Sequence, residues 1–248
     1  MRIGLLKVGK VADELLHKYE EFPPMFQELL GPAGHDAEFE VYIVLKGHIP
    51  SSVHECDGWL VSGSAKGVYD DDPWIAQIRE FLRACREARK PVVGICFGHQ
   101  LLAEALGGRA GLSDKGWGCG VHRYAVRERP SWMADAPGEL ALHAMHRDQV
   151  TAIPGDATVL ASSPFCEYAM LSYGDPEAPD AISIQPHPEF ERPFAEDLVA
   201  LRTGDGKIPA EVGQPALATY GEAVDNAQVA RWIMTFYRRA LAERANAA

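Results

Sequence analysis

The sequence predicts an α/β fold, a doubly wound and mostly parallel sheet extended by an antiparallel or mixed section, within a single domain of residues 1–248. Two patterns carry this. In the first part, short apolar runs alternate with stretches of helical spacing, the signature of βαβ units. From Gly116 onward, strand-like runs follow one another without long helices between them. In such sheets ligands bind at the carboxyl ends of the strands, so residues just after a strand are the first place to look for chemistry.

The elements follow in order. Met1–Lys10 alternates like a first strand, and it is too short and too interrupted by charge for a signal peptide. Val11 to Leu30 carries Val11, Leu15, Leu16, Tyr19, Met25, Phe26, Leu29 and Leu30 at helical spacing, with Pro23-Pro24 inside. Proline within a helix removes a donor and clashes with the preceding turn, so two short helices are expected there. Strands are expected at Glu38–Leu45 and Gly58–Val61. Asp72-Pro73 reads as an N-cap and first helical residue, and Ile75, Ile78, Leu82 and Cys85 line one face of the helix up to Arg89. Val92–Ile95 is the next strand. Beyond Gly116, strands are expected at Gly120–Arg127, Glu139–His146, Val159–Ser162, Glu167–Ser172 and Ala181–Gln185. Residues 193–225 read as two short helices around a mobile loop. Asn226 caps a final packing helix, residues 226–244, whose stripe from Val229 to Leu241 faces the core.

Composition narrows the function classes. A net charge of −11, with acidic residues spread along the chain, argues against nucleic acid or an anionic membrane surface as partner. No apolar run approaches the length of a membrane span. The five cysteines are odd in number and form no C-x-x-C pair, so neither a disulfide framework nor a zinc site is suggested. A soluble, cytoplasmic protein of a reducing compartment is expected.

One stretch carries chemistry. In Gly94-Ile95-Cys96-Phe97-Gly98-His99-Gln100 a buried strand ends at a cysteine flanked by glycines two residues either side, and a helix follows at once. This is a nucleophile elbow with cysteine in place of serine, and small neighbours are needed where strand and helix backbones approach. A thiol at a helix N-terminus is favoured as thiolate, but an ordinary cysteine is only a few per cent thiolate at neutral pH and still requires a base. Gln185-Pro186-His187-Pro188-Glu189 offers one. Proline after His187 keeps that histidine extended, and residues two apart in an extended chain point the same way, so Glu189 sits beside His187 and orients its ring. A nucleophile, base and orienter are thereby available in Cys96, His187 and Glu189.

These two blocks, with Gly58-Trp59-Leu60-Val61-Ser62-Gly63-Ser64, resemble the class I, triad-type glutamine amidotransferase domain and its flavodoxin-like fold. The resemblance implies a γ-glutamyl thioester on Cys96 and an oxyanion hole from the backbone amides of Phe97 and the Gly63–Ser64 turn. Where the family more often has a second glycine and a proline after the Ser-Gly, this chain has Ser64-Ala65-Lys66, which leaves the second donor open. Gln100 matches a substrate-contacting glutamine of the elbow. Met145 and His146 match a segment whose backbone lines the glutamine pocket, and Asp148 is expected to cap a turn. His143 and His146 face opposite sides of a strand without a third ligand, and Gly116–Gly120 lacks dinucleotide-binding spacing. No metal or cofactor is expected.

The expected substrate is a small γ-glutamyl amide. The chain also resembles stand-alone γ-glutamyl peptidase-like relatives, notably in Ile95–Gln100 and the long C-terminal region. Hydrolysis of a γ-glutamyl compound is therefore the leading expectation. A glutaminase that delivers ammonia to a separate synthetase subunit is the first alternative, and a non-catalytic binding or regulatory relative the second.

Overall fold

The computed structural model describes residues 1–247. The strands are β1 (Arg2–Lys7), β2 (Glu38–Ile43), β3 (Gly58–Val61), β4 (Val92–Ile95), β5 (Arg109–Leu112), β6 (Gly118–Val126), β7 (Glu139–His146), β8 (Asp148–Ala152), β9 (Ala157–Ser162), β10 (Met170–Tyr173) and β11 (Ala181–Ile184). The helices are α1 (Phe22–Leu30), α2 (Pro73–Glu87), α3 (Phe97–Ala105), α4 (Arg192–Gly204), α5 (Ala210–Leu217) and α6 (Asn226–Ala247).

Nine strands form one sheet in the order β2-β1-β3-β4-β11-β10-β9-β6-β7. The pairs β1–β2, β1–β3, β3–β4 and β4–β11 are parallel, and every pair from β11–β10 to β6–β7 is antiparallel. The expected parallel half with its mixed extension is therefore a single continuous sheet. Strand β11, last in sequence, is inserted beside β4, in register from Ala181 opposite Val92 to Ile184 opposite Ile95.

Alternation along the central strands feeds two cores. Ile3, Leu5, Leu60, Val93 and Ile95 pack on one face with α1 and α6, while Leu6, Trp59, Val61 and Val92 pack on the other with α2 and α3. The stripe of α6 is core as expected, with Val229, Trp232, Ile233, Phe236 and Tyr237 all buried.

Several local expectations are corrected. Pro23 and Pro24 occupy the first turn of α1, where a missing N–H leaves nothing unpaired, so they start that helix rather than interrupt a longer one. The residues before it form only a single 3-10 turn, Asp13–Leu15. Asp72 precedes α2 but makes no capping bond, because its carboxylate pairs with Lys66 at 2.8 Å. Asn226 does not cap α6 with its side chain. Its amide donates to the Phe190 carbonyl at 3.0 Å, and the Asp225 carbonyl receives the first helical bond from Val229. Strands β5 and β8 were not expected. They form a separate antiparallel pair, so Asp148 opens a strand instead of capping a turn. Among the described residues no helix is long and apolar enough to cross a membrane.

The glycines flanking Cys96 are required by contact. A Cβ on Gly94 would lie 2.4 Å from the Gly98 carbonyl oxygen, and one on Gly98 would lie 2.4 Å from the Val61 carbonyl oxygen. Backbone is on both sides, so the chain itself would have to move. Gly94→Ala and Gly98→Ala should each lower stability by about 1–3 kcal/mol in urea unfolding. Gly111→Ala, with nothing within 4 Å of its added Cβ, should stay within about 0.5 kcal/mol. Equal effects at the three positions would contradict the close approach of β3, β4 and α3.

Candidate active site

The chemistry-bearing residues meet at the carboxyl ends of β3, β4 and β11. Cys96 has φ 51° and ψ −100°, a left-handed conformation rare for a residue with a side chain. Its amide donates to the Ile184 carbonyl at 2.8 Å, and its carbonyl receives the first bond of α3 from Gln100 at 3.0 Å. Cys96 is thus clamped between β11 and its own helix, and the strained φ is held by bonds on both sides.

His187 lies three residues past β11. Its amide donates to the His143 carbonyl at 2.8 Å, an antiparallel bridge that ties the segment to β7. The ring Nδ1–H donates to Glu189 Oε1 at 2.7 Å. Phe190 stacks on the ring, 4.0 Å between centroids and 8° from parallel. The edge of the ring faces Gly63, where an added Cβ would stand 2.9 Å from His187 Cε1 and 3.7 Å from Cys96 Cβ. The ring's other nitrogen is left free of Glu189, and the nearby Cys96 sulfur favours the protonated ring.

Burial of His187 disfavours its charged form, but the Glu189 carboxylate and the Cys96 sulfur favour it more, and the net pKa is raised. Such a group binds its proton more tightly folded than unfolded. Its contribution to stability is complete below the ordinary imidazole value of about 6.5 and drains away as pH rises through the raised folded value. Burial pushes Cys119 up to about 11 and Cys166 up to about 12, and it also raises Cys56 and Cys85.

Each expected site residue has a definite place. Cys96, Gly63, Ser64, Gln100, Met145, His146 and His187 all border one cavity of about 520 Å³. Phe97 is the first residue of α3, and its amide, like the others of a first helical turn, has no intrahelical acceptor. Gln100 is not a solvent-facing helix residue. It is buried, and its amide nitrogen donates to the Asp148 carbonyl at 2.9 Å and to Gln185 Oε1 at 3.1 Å. His146 donates from Nδ1 to the same carbonyl at 3.1 Å, and burial pushes its pKa down to about 3, so the ring is neutral. His143 instead bonds the Phe190 carbonyl at 2.9 Å.

The structure adds residues that sequence reasoning missed. Asp148 borders the cavity with its carboxyl half-buried, and burial raises its pKa against the opposing bond from the Tyr69 hydroxyl and the charge of Arg147. Tyr69, Leu112 and Trp117 form an apolar rim, while Phe194, Leu198 and Arg202 of α4 close another wall. Gln185 is fully buried with its amide nitrogen 3.6 Å from Cys96 Sγ. It stands just before the His-Pro-Glu segment, yet nothing in its spacing separates it from an ordinary strand residue.

A mixed α/β sheet with a cysteine at a strand-to-helix corner of its parallel half, near a histidine–carboxylate pair, defines the class of protein. Comparison then narrows it. Residues 26–198 match the family described as glutamine amidotransferase class-I, and the chain belongs to that family. Gamma-glutamyl peptidase 5 of Arabidopsis thaliana is 30% identical over 182 residues, which cover 70% of this chain and 71% of that protein. A glutamine-hydrolyzing GMP synthase subunit of Methanobrevibacter smithii is 33% identical over 99 residues, 40% of this chain and 50% of the relative. The crystal structure of a glutamine amido transferase from Methylobacillus flagellatus superposes with a TM-score of 0.71 at 21% identity, covering 97% of this chain and 93% of that one.

Two measurements test the site. Brief treatment of the folded chain with iodoacetamide at neutral pH should label Cys96 well ahead of Cys56, Cys85, Cys119 and Cys166. Peptide mass mapping that found one of those four labelled first would contradict the assignment. Glu189→Gln removes the carboxylate charge that raises His187, so the pH at which the ring loses its proton, followed by NMR of the ring nitrogens, should fall. An unmoved titration would mean that Glu189 does not hold the proton there.

Proposed function

We propose that this chain hydrolyses the γ-glutamyl amide bond of γ-glutamyl compounds through a Cys-His-Glu triad, and that it does so without a partner. The observation that carries the reading is that Cys96 and His187 share one wall of the cavity, with Glu189 bonded to the His187 ring at 2.7 Å.

Cys96 Sγ, its proton taken by His187, attacks the side-chain carbonyl of the γ-glutamyl group. Negative charge develops on the carbonyl oxygen, beside the Phe97 amide and the Gly63–Ser64 turn. Preorganised donors of this kind typically contribute about 3 kcal/mol each. Glu189 holds the ring with Nδ1 protonated, so His187 returns its proton from the opposite nitrogen to the leaving amine. The γ-glutamyl thioester remains on Cys96. His187 then deprotonates a water, which cleaves the thioester and releases glutamate and the thiol.

Two features favour a leaving group larger than ammonia. The cavity extends well past Cys96 to an apolar rim of Tyr69, Leu112 and Trp117. Cations also gather on it, with Lys10, Lys66, Arg147, Arg202 and Lys207 set against the single carboxylate of Asp148. Lys10, Lys66, Arg202 and Lys207 each lie against an aspartate, whereas Arg147 has no ion-pair partner among the described residues. In a chain of net charge −11, an arginine at the cavity without an ion-pair partner suits a peptide leaving group that ends in a carboxylate. The relatives named gamma-glutamyl peptidases point the same way.

A second reading is favoured by the relative named as part of a glutamine-hydrolyzing synthase. In that reading the chain delivers ammonia to a separate synthetase. The readings differ in what the purified chain does alone.

A turnover panel of glutamine, γ-glutamyl dipeptides and γ-glutamyl alkylamides decides between them. Release of glutamate from the dipeptides by the isolated chain is expected, and it should be abolished in Cys96→Ala. A chain inert toward the whole panel, yet active on glutamine once a synthetase is added, would favour the second reading. Arg147→Ala should raise KM for γ-glutamyl dipeptides by about two- to fivefold, the scale of an exposed ion pair. It should leave the alkylamides unchanged. An equal effect on both would remove Arg147 from leaving-group recognition.

A further inference from the structure

We propose that Gln185 is a further catalytic residue, donating a hydrogen bond to the Cys96 sulfur, and that the direction of this bond is set by a polar chain running back to strand β8. The inference rests on Cys96 being the nucleophile.

A glutamine amide is nearly symmetric in shape, and its two ends do opposite things to a thiol. The NH₂ end donates and favours thiolate, whereas the carbonyl end accepts and favours the protonated thiol. What matters is which end faces the sulfur, and three buried groups decide it. The Asp148 backbone carbonyl can only accept, so Gln100 turns its NH₂ toward it at 2.9 Å. The second hydrogen of that NH₂ points to Gln185 Oε1 at 3.1 Å. With its oxygen held there, Gln185 is left with its NH₂ toward Cys96 Sγ at 3.6 Å, an ordinary N–H···S distance. Reversing Gln185 would set N–H against N–H. Reversing Gln100 would set its carbonyl against that of Asp148. Gln185 is 0% exposed and Gln100 3% exposed, so water cannot repair either error.

The backbone fixes the separation as firmly as the side chains fix the direction. Cys96 donates to the Ile184 carbonyl at 2.8 Å, and Gln185 donates to the Ala169 carbonyl at 2.8 Å. Nucleophile and amide therefore sit on adjacent strand ends in set register. The other titratable groups around the sulfur do not duplicate the donor. The Tyr124 hydroxyl and the Cys166 thiol lie near Cys96, but Tyr124 Oη has no hydrogen-bond partner and only Gln185 places a donor on the sulfur among the hydrogen bonds of the described residues. His146 is neutral and turns its Nδ1 to the Asp148 carbonyl, and His187 exchanges its proton with the sulfur during the reaction, whereas the Gln185 amide donates without titrating. Stabilised thiolate is needed twice in the cycle, once before attack and again when the thioester breaks and sulfur departs. Gln185 faces the sulfur at both points.

The test is the pH profile of iodoacetamide alkylation of Cys96 in the full chain, with Gln185→Met and Gln100→Met. Methionine keeps the length of the side chain and removes the amide. For Gln185→Met the profile should move to higher pH by about one unit, with alkylation at pH 7 slowed about tenfold, as expected for losing one hydrogen bond to a charged group. Gln100→Met leaves Gln185 in place but frees it to turn over, so the shift should have the same direction and a smaller size. A purely structural role would lower the melting temperature of either variant without moving its profile. Unmoved profiles with labelling still confined to Cys96 would overturn the donor and leave the nucleophile standing. Labelling of another cysteine in the unsubstituted chain would overturn both. If Gln185→Met does not fold by circular dichroism, the Gln100→Met profile alone decides, a shift supporting the donor and its absence overturning it.

Discussion

The site depends on one strand pairing, the parallel ladder between β4 and β11. These strands are distant in sequence but adjacent in the sheet, and their register from Ala181–Val92 to Ile184–Ile95 brings both to an end at the same level. Cys96 follows one and Gln185 the other, with His187 two residues on. A slip of one residue would turn Cys96 away from the histidine, since successive side chains on a strand face opposite ways. The clamp on Cys96 from Ile184 and the bridge from His187 to His143 are the two bonds that convert this register into a fixed distance between thiol and imidazole.

Around that pairing the rest of the chain divides its tasks. The glycines at 94 and 98 allow α3 to lie close enough on β3 and β4 for the corner to form. Phe190 and Glu189 hold the His187 ring by its face and by one nitrogen. The helices after Glu189 are more than filler, because α4 supplies a wall of the cavity through Phe194, Leu198 and Arg202. The chain that follows Glu189 thus bears on what the cavity can hold. The energetic logic is that of preorganisation: strain at Cys96 and a buried charged pair at His187–Glu189 are carried by a nine-stranded sheet with two well-packed faces.

How much of this was legible beforehand varied with the kind of signal. The central strands and the core stripe of α6 were legible because apolar periodicity reports burial directly. The elbow was legible because glycine at two positions around a cysteine has a steric reason. Strands β5 and β8 were not, since Arg109–Leu112 and Asp148–Ala152 are short, part-exposed and mixed in polarity. The side-chain caps expected at Asp72 and Asn226 do not form, for a common reason. Each side chain had a stronger partner elsewhere in the fold, Lys66 for one and the Phe190 carbonyl for the other. The Gln100–Gln185 contact and the approach of Asp148 to the cavity were beyond reach, because they join residues that only the sheet brings together. Local pattern names the candidate nucleophile and base. Three-dimensional register is needed to find what tunes them.

The central claim is that Cys96 carries a γ-glutamyl thioester held within a Cys-His-Glu site. The most direct test mixes the chain with a γ-glutamyl dipeptide, quenches in acid within milliseconds, and weighs the intact protein and its peptides. The account predicts a transient adduct with the mass of one γ-glutamyl group, confined to the peptide containing Cys96 and absent from Cys96→Ala. Turnover of the dipeptide without any such adduct, or with the adduct on another residue, would contradict it.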